Sequence, residues 1–456
     1  MHILWLHQYF ATPSGWGSVR TYEFGRRFVA AGHKVEVLCC AAYDPTLVGK
    51  GILDAAGMRV HVSSTRYRPQ MGFLARIGSF LSFAGFAVWH VLRHGRKYDL
   101  IIASSGPLTM ALPALLARWL HKTPFVFEVI DVWPDAAIES GVLRNRLLQG
   151  AAFRLEACAY RHASRIVTCS TGMTERIVRK GAHRATGWRS HNAYRATGWR
   201  SHNSHRAIGG VSHCAHANAY ADKIATISNC CDLEIFQPDT ARRRAARAAL
   251  GLREDQFVIL YTGAMGRSNA IDDLVQAANQ TAGDARWVWC FAGDGPEADK
   301  LRQLPGSRFF GMLSREQLID LYQAADVAVV TFLHAPLFEE NSPNKFFDAI
   351  AAGLPVVFNR STWLEADLAA YGCGFVCTGE IPGNEMAAQL QRLASDPVLR
   401  QRMGAGARRL AEERFSRDQL ADRYLEVVDC STLAGAAYAG ASSAPHSSED
   451  LPAGLR

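Results

Sequence analysis

Two carboxylates eight positions apart, Glu340 and Asp348, enclose the segment Ser342-Pro343-Asn344-Lys345. The apolar run DVAVVTF before them predicts a buried strand, and the spacing after them predicts a helix over 344–352. Proline suits a first helical turn. The free N–H groups and dipole of that turn make an anion site. Lys345 adds a point charge suited to a phosphate. One acid on the loop and one on the helix could bracket a sugar and a ribose through hydroxyl hydrogen bonds. Taken alone, the same residues also fit Ser342 as a helix cap beside two solvated acids.

Two further places offer chemistry. Gly15 and Gly17, in PSGWGS, follow the first strand and precede a helix. Glycine lets a backbone approach a diphosphate closely, although a tight turn needs glycine equally. Asp131 ends the strand PFVFEVID, at a carboxyl edge where ligands bind in open α/β sheets. It could orient an acceptor hydroxyl or take its proton, or it could cap the next turn. Asp272-Asp273 opens a helix and reads as complement to its dipole, so no metal site is expected. The histidines of 202–216 sit in a slipped repeat without a scaffold and are not read as zinc ligands.

The elements that must position these groups alternate. Strand signals at 2–7, 34–40, 60–63, 99–103, 124–131 and 164–169 are interleaved with helical spacing over 18–31 and 108–120. The alternation restarts with strands at 257–263, 286–293, 308–312, 326–332 and 354–359. Two doubly wound parallel sheets follow, each an α/β domain, with a ligand cleft between their carboxyl edges. The expected division is a domain over 1–228, a linker over 229–238 and a second domain over 239–430. A repeat insertion over 183–222 and a tail over 431–456 are expected to be disordered. The insertion joins a helix to a strand, which places it at the sheet edge opposite the cleft.

At the 340–357 segment the chain resembles the retaining glycosyltransferases of family 4, of the GT-B fold. The resemblance rests on Glu340 and Asp348, SPNK at 342–345 and AAGLPVV at 351–357. GAMGRSNAIDDL at 263–274, AGDGPEADKL at 292–301, the run 309–327 and NCCDLEIF at 229–236 extend it over about residues 1–430. IDVWPD at 130–135 is similar to the branch containing N-acetylfucosamine transferases of bacterial surface-polysaccharide assembly. The resemblance implies two Rossmann-like domains and a nucleoside-diphosphate sugar donor, most often UDP-linked, with no cofactor. It implies that Glu340 contacts the transferred sugar and that Asp348, where relatives usually carry Glu, contacts the ribose. Lys345, with the backbone of Ser342 and Asn344, would hold the diphosphate. Gly17 would face the donor phosphate, and Gly263, Arg267 and Asn269 would form a variant diphosphate loop. Ala264 and Asn269 stand where many relatives have Arg and Lys.

The charge balance could suggest nucleic acid. The chain has 456 residues, 50 Lys+Arg and 42 Asp+Glu, and a formal net charge of +8. Five of those charges belong to the eleven-residue repeat at 184–216 (RATGWRSHNAY and its copies), and the remainder carries only +3. That is an ordinary balance, so no nucleic-acid partner is expected. Eleven cysteines without a CxxC pair indicate buried thiols and a reducing, cytoplasmic compartment. No signal peptide is evident. The apolar stretch 72–92, followed by Arg93, Arg96 and Lys97, could span a bilayer, lie in its interface, or be buried. The interfacial reading predicts a peripheral enzyme acting on a lipid-linked glycan acceptor. Two other functions share this architecture: a nucleotide-sugar 2-epimerase and a non-catalytic nucleotide-sugar binder.

Overall fold

The computed structural model describes residues 1–68, 71–139, 143–185 and 220–441. Among these, two parallel sheets form two Rossmann-like domains, which is the GT-B fold. The first sheet runs β3-β4-β2-β1-β5-β6-β7-β8: β1 is His2–Leu6, β2 Lys34–Cys40, β3 Ile52–Ala55 and β4 Met58–Ser63. Its other strands are β5 Leu100–Ser104, β6 Phe125–Val129, β7 Arg165–Thr168 and β8 Ile224–Thr226. Every pairing is parallel except β3 with β4. That hairpin turns on Ala56 and Gly57, both at positive φ. The 60–63 signal is the inner strand of this hairpin, and its short, half-exposed partner is new.

The second sheet runs β11-β10-β9-β12-β13-β14. Here β9 is Phe257–Thr262, β10 Trp287–Ala292, β11 Ser307–Gly311, β12 Val327–Val330, β13 Val356–Phe358 and β14 Gly374–Val376. Strands such as FVILYT are buried along their whole length because helices cover both faces.

Local chemistry starts the helices. Asp239 caps helix Thr240–Ala249 by accepting from the N–H groups of Ala241 and Arg242. Ser314 and Gln317 form a reciprocal capping box on helix Arg315–Ala324. A buried ion pair, Arg20 Nε to Glu128 Oε1 at 2.9 Å, fixes the first helix beneath the cleft. Arg20 also donates to the carbonyls of Ile227 and Ser228, tying that helix to the segment just before the linker.

Two expectations about the C-terminus are corrected. Helix Arg417–Ala441 runs through positions expected to be disordered. It also leaves the second domain and packs on the first. Tyr424 meets Phe24, Phe28 and Trp5 at 5.5, 5.5 and 5.8 Å between ring centroids. Arg417 bonds Asp232 at 2.6 Å and Glu23 at 3.1 Å, closing the return.

The inserted repeat lies outside the described residues, apart from its first positions in helix Thr171–Ala185. Its flanks are the end of that helix and the start of β8, the sheet edge opposite the cleft. The apolar stretch near 72–92 is helix Phe73–His94. Phe83, Ala84, Ala87 and Val91 pack inward, while Leu74, Leu81, Trp89 and Leu92 stay exposed. It is long and apolar enough to cross a membrane, yet one face is a layer of the first domain.

Candidate active site

The carboxyl edges of both sheets face a cleft of about 1430 Å³. On the second-domain side, β9 is followed by Gly263 at φ +114° and β10 by Gly293 at φ +137°. The two turns meet closely: a Cβ on residue 293 would fall 1.9 Å from the Gly263 carbonyl oxygen. Glycine is therefore required at 293, and the paired turns present bare backbone to the cleft.

Beneath them lies Lys345, on helix Asn344–Ala351. Its stem reaches the cleft, but its Nζ is buried and has no hydrogen-bond partner among the described residues. The ammonium sits 3.8 Å from the centroid of the Tyr261 ring, and a Cβ on Gly263 would lie 3.4 Å from it. Burial pushes its pKa down to about 7. The Gly263 and Gly293 N–H groups are spent on the carbonyls of Ala292 and Gly311, so it is the orphaned ammonium that is prepared for an anion bringing its own oxygens.

Asp348, one turn along the same helix, also lines the cleft. Its Oδ1 is 3.4 Å from Arg315 Nη2, and Arg315 also reaches Asp232 at 3.4 Å. Burial raises the Asp348 carboxyl, and Arg315 and Arg417 partly offset this. Asn269 and Asn344 line the same space, and Asn269 is held through its carbonyl by Thr331 Oγ1 at 2.5 Å. Gly17 and Gly15 line the opposite wall, where a Cβ on Gly17 would come within 3.0 Å of Tyr43.

Four predicted residues stand elsewhere. Arg267 is exposed and lies outside the cleft lining. It opens a 3-10 turn over Arg267–Asn269 that presents Asn269 and turns the arginine outward. Ser342 neither caps the helix, whose cap is Pro343, nor lines the cleft. Its hydroxyl accepts from the Asn229 N–H at 3.2 Å and its carbonyl from Asn229 Nδ2 at 2.6 Å, locking the loop to the linker. Glu340 lies across the domain junction. Its carboxylate accepts from Arg176 Nε at 2.8 and 2.9 Å and pairs with Nη2 at 2.8 Å. Burial raises this carboxyl, and Arg176 opposes the rise. Asp131 is exposed beyond β6, beside Gly106, and the protein wall around it raises its carboxyl too.

Sequence reasoning missed Arg176, Gly172 and Arg315. Arg176 and Glu340 are 164 positions apart and meet only through the fold. Gly172 makes room for that meeting, since a Cβ there would lie 2.8 Å from Glu340 Cγ. Arg315 sits within the 309–327 motif, where the capping pattern around it draws attention to the helix start and away from its charge.

Comparison with known proteins defines the class. Residues 17–186 match the family model described as glycosyl transferase 4-like domain, and residues 242–410 match glycosyl transferases group 1. The two matches take in both domains, and the chain belongs to the GT-B glycosyltransferases. A lipopolysaccharide core biosynthesis glycosyltransferase, LpsD of Rhizobium meliloti, is 29% identical over 214 residues, covering 43% of this chain and 57% of that protein. A D-inositol 3-phosphate glycosyltransferase of Streptomyces bingchenggensis is 30% identical over 234 residues, covering 47% and 50%. The chain thus spans about half the length of the curated relatives it matches. Two solved structures share the fold. Sucrose-phosphate synthase of Thermosynechococcus elongatus has a TM-score of 0.67 at 17% identity, covering 94% of this chain and 98% of that one. HepE of Anabaena in complex with UDP has 0.65 at 17%, covering 94% and 100%.

Proposed function

We propose that this protein is a retaining glycosyltransferase that moves a sugar, N-acetylated by its branch resemblance, from a UDP-linked donor to a glycan or lipid-linked acceptor in surface-polysaccharide synthesis. The carrying observation is the unpartnered Lys345 ammonium buried below the Gly263 and Gly293 turns. A diphosphate placed there gains a charge-assisted bond from Lys345 and the N–H groups of the first turn of its helix, Asn344–Ala351. Those interactions strengthen as the sugar leaves and charge builds on the departing phosphate. Asp348, steadied by Arg315, would take the ribose hydroxyls. Asp131, across the cleft, would orient the acceptor hydroxyl. In front-face transfer the departing phosphate takes that hydroxyl's proton, so no separate base is needed, and we propose no metal requirement. Glu340 would serve the transferred sugar from the junction, with Arg176 keeping its carboxylate ionised.

A cytoplasmic location, peripheral on the inner membrane face, is part of the same proposal. The exposed Leu81, Trp89 and Leu92 and the neighbouring Trp119 and Leu120 support it. Of the adjacent cations, Arg93 and Arg96 are available to anionic lipid. Lys97 is engaged by Glu36 at 2.9 and 3.0 Å.

The test is UDP release from a panel of UDP-sugars, with Glu340→Ala as control. The proposal predicts release that depends on the sugar and is lost in the variant while UDP binding persists. Activity surviving Glu340→Ala would refute the site assignment. Conversion of UDP-N-acetylglucosamine without any acceptor would favour an epimerase.

A further inference from the structure

The first-domain wall of the cleft carries a feature that donor binding does not explain. Tyr9, Tyr43 and Tyr67 form a closed aromatic group. Ring centroids are 4.9 Å apart for Tyr9 and Tyr67, 5.5 Å for Tyr9 and Tyr43, and 5.9 Å for Tyr43 and Tyr67. Behind them, Tyr67 stacks on Phe80 at 6.2 Å and 18°, and Phe80 meets Trp133 edge-on at 6.2 Å. The rings are thus pinned, but they are not core. Tyr43 and Tyr67 line the cleft, and all three tyrosines are only partly buried.

Topology explains why they meet. Tyr67, Tyr43, Tyr9, Gly106 and Asp131 follow the carboxyl ends of β4, β2, β1, β5 and β6 respectively, which is the order of those strands across the sheet. Asp131 ends this row just outside the cleft lining: a Cβ on Gly106 would lie 3.7 Å from the Tyr9 ring and 3.9 Å from Asp131 Oδ2. Towards the other end, Tyr43 abuts Gly17, which joins this row to the glycine loop.

Partly buried rings carrying phenol hydroxyls at the cleft match one ligand chemistry well. A pyranose has a face of C–H groups and an edge of hydroxyls. Its polarised C–H groups suit the electron-rich ring face. Its hydroxyls suit phenols and a carboxylate, the few placed polar groups of an otherwise apolar subsite. Burial and mutual proximity raise the Tyr9 and Tyr43 phenols, so both stay neutral and can donate as well as accept.

We propose that Tyr9, Tyr43 and Tyr67 form the acceptor subsite and that it takes a pyranose ring of a glycan face-on, with a hydroxyl directed to Asp131. This rests on the transferase reading above. The saccharide itself, not a lipid chain, is what the wall recognises.

Saturation-transfer NMR tests this on the full chain with UDP present, using methyl glycosides of glucose and N-acetylglucosamine and n-octyl glucoside as probes. Saturation is expected on the ring-face protons of the glycosides. It should fall at least five-fold in Tyr67→Ala. Tyr43→Phe, which keeps the ring and the fold, should retain the ring-face pattern with a weaker signal. UDP affinity should change less than two-fold in both. Glycosides that show no transfer while UDP does would overturn the proposal, as would signals indifferent to both variants. Octyl glucoside saturated only along its alkyl chain would overturn it in favour of a lipid site. Failure of UDP itself to bind would instead refute the underlying transferase reading.

Discussion

Replacing Lys345 with Met separates the two properties that the structure gives this lysine. Its Nζ is buried without a hydrogen-bond partner among the described residues, and its pKa falls from 10.5 to about 7. At 1.36 kcal/mol per unit, that shift bounds the destabilisation from burying the charge at about 5 kcal/mol. The stem's access to the cleft lowers the real value. The sign follows from linkage: a cation with a depressed folded pKa destabilises the native state fully below that pKa. The effect fades as pH rises towards the unfolded value. Lys345→Met should therefore raise the melting temperature of the unliganded protein at pH 6–7, and the gain should vanish near pH 10. Its UDP affinity should drop, since truncating one partner of a buried charge pair costs about 2–5 kcal/mol, or roughly 30- to 4000-fold. Diphosphate binding should also restore the proton. At pH 8 the wild-type lysine is about nine-tenths neutral, so binding should take up close to one proton. Calorimetry in Tris and in phosphate reads this as a difference in apparent enthalpy. A destabilised variant with unchanged UDP affinity, or wild-type binding with no buffer dependence at pH 8, would refute the reasoning.

Three other outcomes are expected. Glu340→Ala should abolish transfer and destabilise the protein, by less than the cost of a fully stranded buried charge, about 3–5 kcal/mol, because Glu139 stays 3.9 Å from Arg176; adding Arg176→Met should restore melting temperature but not activity. Gly293→Ala should give a misfolded second domain by circular dichroism and proteolysis, because its Cβ would strike the Gly263 carbonyl at 1.9 Å. Charge reversal at Arg93 and Arg96 should release the protein from vesicles containing anionic lipid, and unchanged sedimentation would remove the membrane proposal.

The sequence showed most clearly what is local. Buried parallel strands such as FVILYT and VAVV are continuous apolar runs, so both domains can be read from alternation and turn residues. Gly17, Asn269, Lys345 and Asp348 reach the cleft because each lies in the connection that leaves a strand's carboxyl end, in a loop or the first turns of a helix. What eluded the sequence depends on distant partners. Ser342 turns away from the cleft to satisfy Asn229, and Arg267 turns outward on a tight 3-10 turn. Glu340 finds Arg176 only when the domains meet. Helix Arg417–Ala441 has a buried face made by the other domain, which its own composition does not announce.

Transfer of a labelled sugar tests the central claim most directly. The protein would be incubated with UDP-[13C]sugar and a membrane fraction carrying lipid-linked glycans, and the anomeric signal of the product followed by NMR. The account predicts label on the acceptor with the donor's α-configuration retained, dependent on Glu340. Label moved with inverted configuration, or donor altered without any transfer, would contradict it.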